Sequence, residues 1–334
     1  MKRKFSWLWP AAAGIAILLS CYVAGWLLMP VRRDFGSTWE TFRQEQRDSV
    51  DVMVFGSSLA YCDVVPAVFW EETGASLFVM AGAEQTIPLS VYAVKEALRT
   101  QTPETIFLEI TGMYYQEYQN YTKVNVGYMP WSGNRLAATF RAAEPEERFG
   151  LLFPLYTYHS RWQEVRPGEI LAHLAPGKDP MAGYTFLKDA EADPERRPRK
   201  ASWDTPVYQD NLAYLKELAE VCRERGCRLV TYVAPATFQL PEEARQKLRQ
   251  DTEALEDVLF LDCSGWPEEM GIDDKTDWYD GLHFNVLGAE KFTRRLGQYA
   301  REAGLLPERS AGDPEVWRWR MEALEERKRE QVGN

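Results

Sequence analysis

An uncharged apolar run opens the chain, and the rhythm then changes. Residues 7–29 contain no Asp, Glu, Lys or Arg. At ~1.5 Å per helical residue that stretch reaches about 35 Å, enough for a bilayer core with some tilt. Beyond it, short apolar runs alternate with stretches of helical spacing. Residues 52–55, 76–80, 105–110, 228–233 and 258–262 have the length and composition of strands. Residues 65–72, 88–99, 211–225, 242–255 and 286–303 predict helices; Val91, Val94, Ala97 and Leu98 share one face of the second, and Asn285 stands as N-cap of the last. The fold class this predicts is α/β, a largely parallel sheet flanked by helices in three layers.

Two segments break the alternation. About a hundred residues, 113–208, are rich in Tyr, Trp, Pro and Gly, as in Gly127-Tyr128-Met129-Pro130-Trp131 and Tyr156-Thr157-Tyr158-His159-Ser160-Arg161-Trp162. Stretches of this length inside a domain are commonly functional insertions. Its rings suit stacking on sugar faces, as in a carbohydrate cleft, and equally suit a small subsidiary core. Residues 314–332 read as a charged helix with Trp317, Trp319, Met321 and Leu324, expected to dock on the body because its polar residues carry both signs. The expected organisation is therefore a cytoplasmic stub and anchor at 1–33, an α/β domain at 34–306 carrying the insertion, and a C-terminal helix at 307–334.

Composition narrows the setting. The apolar run continues through Gly25-Trp26-Leu27-Leu28-Met29, past where a cleaved signal peptide would end, so it reads as a single-pass anchor. Lys2, Arg3 and Lys4 precede it and Arg32 and Arg33 follow; the larger basic share at the N-terminus places the body outside the cytoplasm. A net charge of −11 and no basic stripe exclude nucleic acid as a partner. The basic stretch from Pro194 to Lys200 reads first as a solvated linker. With Cys21 in the anchor, Cys62, Cys222, Cys227 and Cys263 are scattered. They read as buried thiols, with a Cys222–Cys227 bridge open if the domain is exported, and their spacing gives no metal site. No cofactor is expected.

The chemistry gathers in two blocks. Phe55-Gly56-Ser57-Ser58 follows the first strand, and Asp280-Gly281-Leu282-His283 precedes the last helix. Ligands of an open parallel sheet bind at the carboxyl ends of its strands, which places both blocks at one rim. A serine hydroxyl needs a neutral imidazole to take its proton, and the imidazole needs a carboxylate to fix its tautomer. Of the three histidines, His159, His173 and His283, only His283 has an Asp three residues upstream. His159 stands as a rival base or substrate contact, and more simply as a structural histidine.

These blocks resemble those of the SGNH (GDSL-like) hydrolases, whose first block is Gly-x-Ser after the first strand and whose last is Asp-x-x-His. The resemblance makes Ser58 the nucleophile, His283 the base and Asp280 its orienting acid, and leaves Ser57 where many members carry Asp. It implies oxyanion donors at the Ser58 N–H and at Gly82, in Met80-Ala81-Gly82-Ala83. The third block departs: Thr111-Gly112-Met113 stands where Gly-x-Asn is expected. Asn120, Asn134 and Arg161 are the candidate substitutes. Together with the anchor, the altered third block is similar to the branch of membrane-anchored SGNH-like proteins of alginate O-acetylation and teichoic acid D-alanylation. That resemblance implies a serine acyltransferase or esterase acting on an extracytoplasmic polysaccharide, with a membrane-bound O-acyltransferase as donor partner. A carbohydrate O-acetylesterase and a non-catalytic glycan-binding subunit of such a complex are the alternatives.

Overall fold

The computed structural model describes residues 8–32, 35–36, 38–115, 121–190, 194–195 and 197–332. Five strands, β1 (Val52–Phe55), β2 (Leu77–Val79), β3 (Thr105–Glu109), β4 (Arg228–Val233) and β5 (Val258–Asp262), form one sheet in the order β2-β1-β3-β4-β5. Every pairing is parallel, with Val52 opposite both Leu77 and Thr105. The strands are nearly continuous apolar runs because both faces are covered. Met53 and Phe55 point into one buried layer, with residues of the helices Ile87–Ala97, Pro206–Arg225 and Glu242–Glu253. Val52 and Val54 point into the other, with residues of Pro66–Thr73 and Val286–Glu302. The helix Pro314–Val332 adds Leu324 to that second layer and packs against Pro66–Thr73. This is the flavodoxin-like doubly wound order, whose strand sequence reverses between β1 and β3.

The helix ends follow their local chemistry. Asn285 accepts from the N–H groups of Leu287 and Gly288 at 3.0 and 3.3 Å and so caps Val286–Glu302. The helix expected from 211 starts at Pro206 instead, because Thr205 accepts from the Tyr208 N–H and proline fits the first turn. The apolar helix Leu8–Leu28 is long and apolar enough to cross a membrane. Between β3 and Pro206 the chain forms short helices, among them Thr122–Gly127, Arg148–Leu152, Pro154–Tyr158 and Pro167–Leu174. All five cysteines are free thiols; the Cys227 thiol contacts the Cys222 carbonyl.

Candidate active site

β1 delivers the first block to the sheet's carboxyl edge, at the point where strand order reverses. Gly56 has φ +141°, and a Cβ there would meet the Cβ of Glu109 at 2.6 Å, so only glycine lets the chain leave β1 across the end of β3. Ser57 then caps the short helix Ser58–Tyr61: its Oγ takes the Leu59 N–H in a long 3.4 Å contact and donates to Glu109 Oε2 at 3.1 Å. Ser58 is the first residue of that helix, where a backbone N–H has no acceptor within the helix.

The second block is held by a small hairpin. Trp278 bridges Phe284, their rings stacked 4.2 Å apart, and the Tyr279 N–H donates to the His283 carbonyl at 2.9 Å. Asp280 Oδ1 accepts from the N–H groups of Leu282 and His283 at 2.7 and 2.9 Å, an Asx-type turn that folds the carboxylate back over its own loop. The Phe284 N–H donates to Asp63 Oδ1 at 3.0 Å, fastening the hairpin to the segment that follows Ser58.

The two blocks meet. His283 Nε2 lies 2.8 Å from Ser58 Oγ, and its Nδ1 lies 3.0 Å from each Asp280 oxygen. Burial works against the Asp280 charge, but the hydrogen bond to His283, the positive charge that ring carries when protonated, and the two backbone donors hold its pKa below the usual aspartate value. A carboxylate facing Nδ1 keeps the proton there. The lone pair of Nε2 then faces the Ser58 hydroxyl, which donates to it.

Two further acids lie beneath the site. Burial pushes Asp63 well above the usual aspartate value; the Phe284 N–H opposes this and the Asp280 and Glu109 charges add to it. Its Oδ2 is buried without a hydrogen-bond partner. Burial likewise raises Glu109 above the usual glutamate value, against the lowering effects of Thr111, Ser57 and Arg199. A carboxyl raised in the folded state costs no stability below its unfolded pKa, ~4.3, and removes stability as pH climbs through the folded value. Glu109→Gln keeps an acceptor for the Thr111 N–H, 2.6 Å away, and a polar partner for Ser57. Thermal melts between pH 4 and 8 are expected to show the variant gaining on the parent as pH rises, with the two alike at the acid end.

Other residues singled out in the sequence are committed elsewhere. The Gly82 N–H donates to the Gly56 carbonyl at 3.0 Å, so it is not a free oxyanion donor. Asn134 donates to Glu96 at 2.9 Å. Arg161 binds the Leu28 carbonyl, Glu164 and Glu169. His159 is exposed, with Nδ1 2.9 Å from the Tyr156 carbonyl. Asn120 lies outside the described residues. The aromatic stretch 156–162 packs beside the helix Leu8–Leu28. The basic stretch is pinned and not a free linker: the N–H groups of Arg197 and Arg199 donate to Thr237 and Gln239, Thr237 Oγ1 donates to the Gly281 carbonyl at 2.7 Å, and the Arg197 guanidinium lies 4.4 Å over Phe238, which presses on Gly281.

Sequence reasoning missed Glu109, Asp63 and Asn125. Glu109 closes an otherwise apolar strand, a placement that marks a strand-end acid aimed at the rim. Asp63 and Asn125 carried no such signal. Asn125 lies against Gly82, donates to the Ala83 carbonyl at 3.0 Å and leaves its own buried oxygen unpaired. Among the described residues no group of three or more His, Cys, Asp or Glu side chains is gathered as metal ligands would be.

No family model matches the chain. It is 28% identical over 197 residues to the probable alginate O-acetylase AlgJ of Pseudomonas aeruginosa PAO1, across 53% of this chain and 45% of that protein. The chain thus spans about half the length of the curated relative it matches. Among solved structures, the agmatine ureohydrolase of Thermoplasma volcanium aligns at 10% identity with a TM-score of 0.20, over 82% of this chain and 97% of that one, a likeness too low to carry an argument.

Proposed function

We propose that this chain is a membrane-anchored serine acyl-transfer enzyme of SGNH type that O-acetylates a polysaccharide. One observation carries the reading: an imidazole with a serine hydroxyl at 2.8 Å on Nε2 and a carboxylate at 3.0 Å on Nδ1. The similarity to a probable alginate O-acetylase supports a glycan acceptor. The apolar helix Leu8–Leu28 supports work at a membrane, where a membrane-bound O-acyltransferase would supply the donor.

The mechanism follows from the geometry. Ser58 Oγ attacks the donor's acetyl carbonyl while His283 Nε2 takes its proton, and Asp280 stabilises the imidazolium that forms. The tetrahedral intermediate collapses, His283 returns the proton to the leaving group, and the acetyl remains as an ester on Ser58. A glycan hydroxyl then gives its proton to His283 and attacks the ester, so the acetyl moves to sugar and Ser58 regains its hydrogen.

A second reading, a glycan-binding subunit of an O-acylation complex, is favoured by the sparse oxyanion site. The Gly82 N–H is already bonded, and Asn134 and Arg161 are engaged elsewhere. Each missing donor is worth ~2.7–4 kcal/mol of transition-state stabilisation. The deciding assay gives the purified chain a soluble acetyl-ester donor with and without oligosaccharide. Acetylated sugar is the expected product. Acetate released equally in both arms makes the protein an esterase, and sugar binding without any turnover leaves the subunit reading.

A further inference from the structure

The segment between β3 and Pro206 does something other than roof the serine. Its side chains close the end of the apolar helix. The carbonyls of Leu28, Met29 and Pro30 accept from Arg161 Nη1 at 2.7 Å, His173 Nε2 at 2.8 Å and Tyr128 Oη at 2.7 Å. The last carbonyls of a helix have no partner within it, and leaving them unpaired away from water is costly. Arg161 is itself braced by Glu169 at 3.0 Å and His173 by Glu40 at 2.8 Å. The helix is therefore bolted to the body at its end and is not a loose tether.

The contact also runs down the helix side. A Cβ on Gly25 would run into the Leu155 backbone, so the helix and the turn Pro154–Tyr158 meet main chain to main chain. Below this, Ile15, Leu18 and Tyr22 face Trp131, Leu152 and Phe153 across an apolar cleft of about 350 Å³. Tyr22 and Leu18 lie about 9 and 15 Å below Leu28 at ~1.5 Å per residue, within the nearer half of a bilayer core ~30 Å thick. If the helix crosses a bilayer, these partners lie at the depth of acyl chains.

Part of the outward side of the same segment is apolar as well, set between the exposed Glu146, Glu164 and Arg166. Phe149, Phe153, Tyr156, Trp162, Leu171 and Leu174 are 48% to 67% exposed. The Phe149 ring centroid lies 4.9 Å from those of both Phe153 and Tyr156. These three rings form an exposed apolar ridge of the kind that marks an interaction surface, and Trp and Tyr favour the membrane interface.

We propose that residues 127–174 form a collar around the end of the helix whose ring cluster, Phe149, Phe153 and Tyr156, dips into the bilayer leaflet nearest the domain, with lipid acyl chains as the occupant of the ridge. Continuity with the membrane-crossing helix selects lipid, because the ridge and the cleft share Phe153 and lie beside the same helix turns. The collar fixes the height and tilt of the α/β body over the membrane. It does not depend on the acyl-transfer reading.

The test is photo-crosslinking of the full chain in phospholipid nanodiscs whose lipids carry a diazirine on the acyl chain, mapped by peptide mass spectrometry. Adducts are expected both in the helix Leu8–Leu28 and in the peptides bearing Phe149, Phe153 and Tyr156. Adducts confined to the helix overturn the proposal and leave the ridge to a protein partner. In a second arm, Gly25→Leu forces the turn Pro154–Tyr158 off the helix. Collar adducts are expected to fall at least fivefold while helix adducts persist, and collar adducts undiminished by Gly25→Leu would overturn the docked arrangement. A circular-dichroism melt of the variant close to that of the parent keeps the comparison within the folded state.

Discussion

Ser58→Ala is expected to lower acetyl transfer by about a thousandfold or more, since triad members act as a unit and removing the nucleophile leaves only binding and electrostatic assistance. The variant should fold normally. It loses one hydrogen bond, to His283 at 2.8 Å, with a net worth of ~1 kcal/mol, and Ser57, not Ser58, caps the short helix that follows β1. A fluorophosphonate should add to the parent once, as read by intact mass, and not at all to Ser58→Ala. Transfer at the parental rate by the variant, or labelling at another residue, would remove Ser58 from the chemistry and return the subunit reading to the front.

A comparably large effect on stability is expected at Trp278→Ala. Trp278 and Phe284 are fully buried, stacked on one another, and Trp278 Nε1 donates to Asp274 at 3.0 Å. Truncating a buried tryptophan costs ~3–5 kcal/mol, on the order of 10 °C in melting temperature for a domain of this size. Activity should fall at temperatures where the chain is still folded, because this pair closes the hairpin that presents Asp280 and His283. Trp319→Ala is the control: Trp319 is exposed on the C-terminal helix, and its loss should shift the melt by less than ~0.5 kcal/mol. Equal shifts at the two positions would contradict the role given to the Trp278–Phe284 pair.

Much of this arrangement could be read from the chain. A parallel sheet buried on both faces writes its strands as apolar runs, and 52–55, 228–233 and 258–262 are strands over those residues. Asn285 caps its helix, and the two reactive blocks lie at one sheet edge as rim geometry requires. What escaped has a common cause. Thr205-Pro206 was a start signal overshadowed by the apolar spacing after it. Glu109, Asp63 and Asn125 matter through partners far away in sequence: Glu109 through Ser57, Asp63 through Phe284, Asn125 through Gly82. The aromatic insertion advertised ring-rich composition without saying what the rings would face: Trp131 faces the apolar helix, while Phe149, Tyr156 and Trp162 stay exposed. The segment after Pro194 looked like linker because its partners, Thr237, Phe238 and Gln239, lie far off in sequence.

The hydroxyl of Ser58 and the ring of His283 stand 225 positions apart. A ribosome adding ~5–20 residues per second needs roughly ten to forty-five seconds to travel between them. During that interval the nascent polypeptide carries the serine without the one imidazole that pairs with it in the folded chain. The Ser58–His283 contact therefore forms late in synthesis, and it waits on the hairpin closed by Trp278 and Phe284.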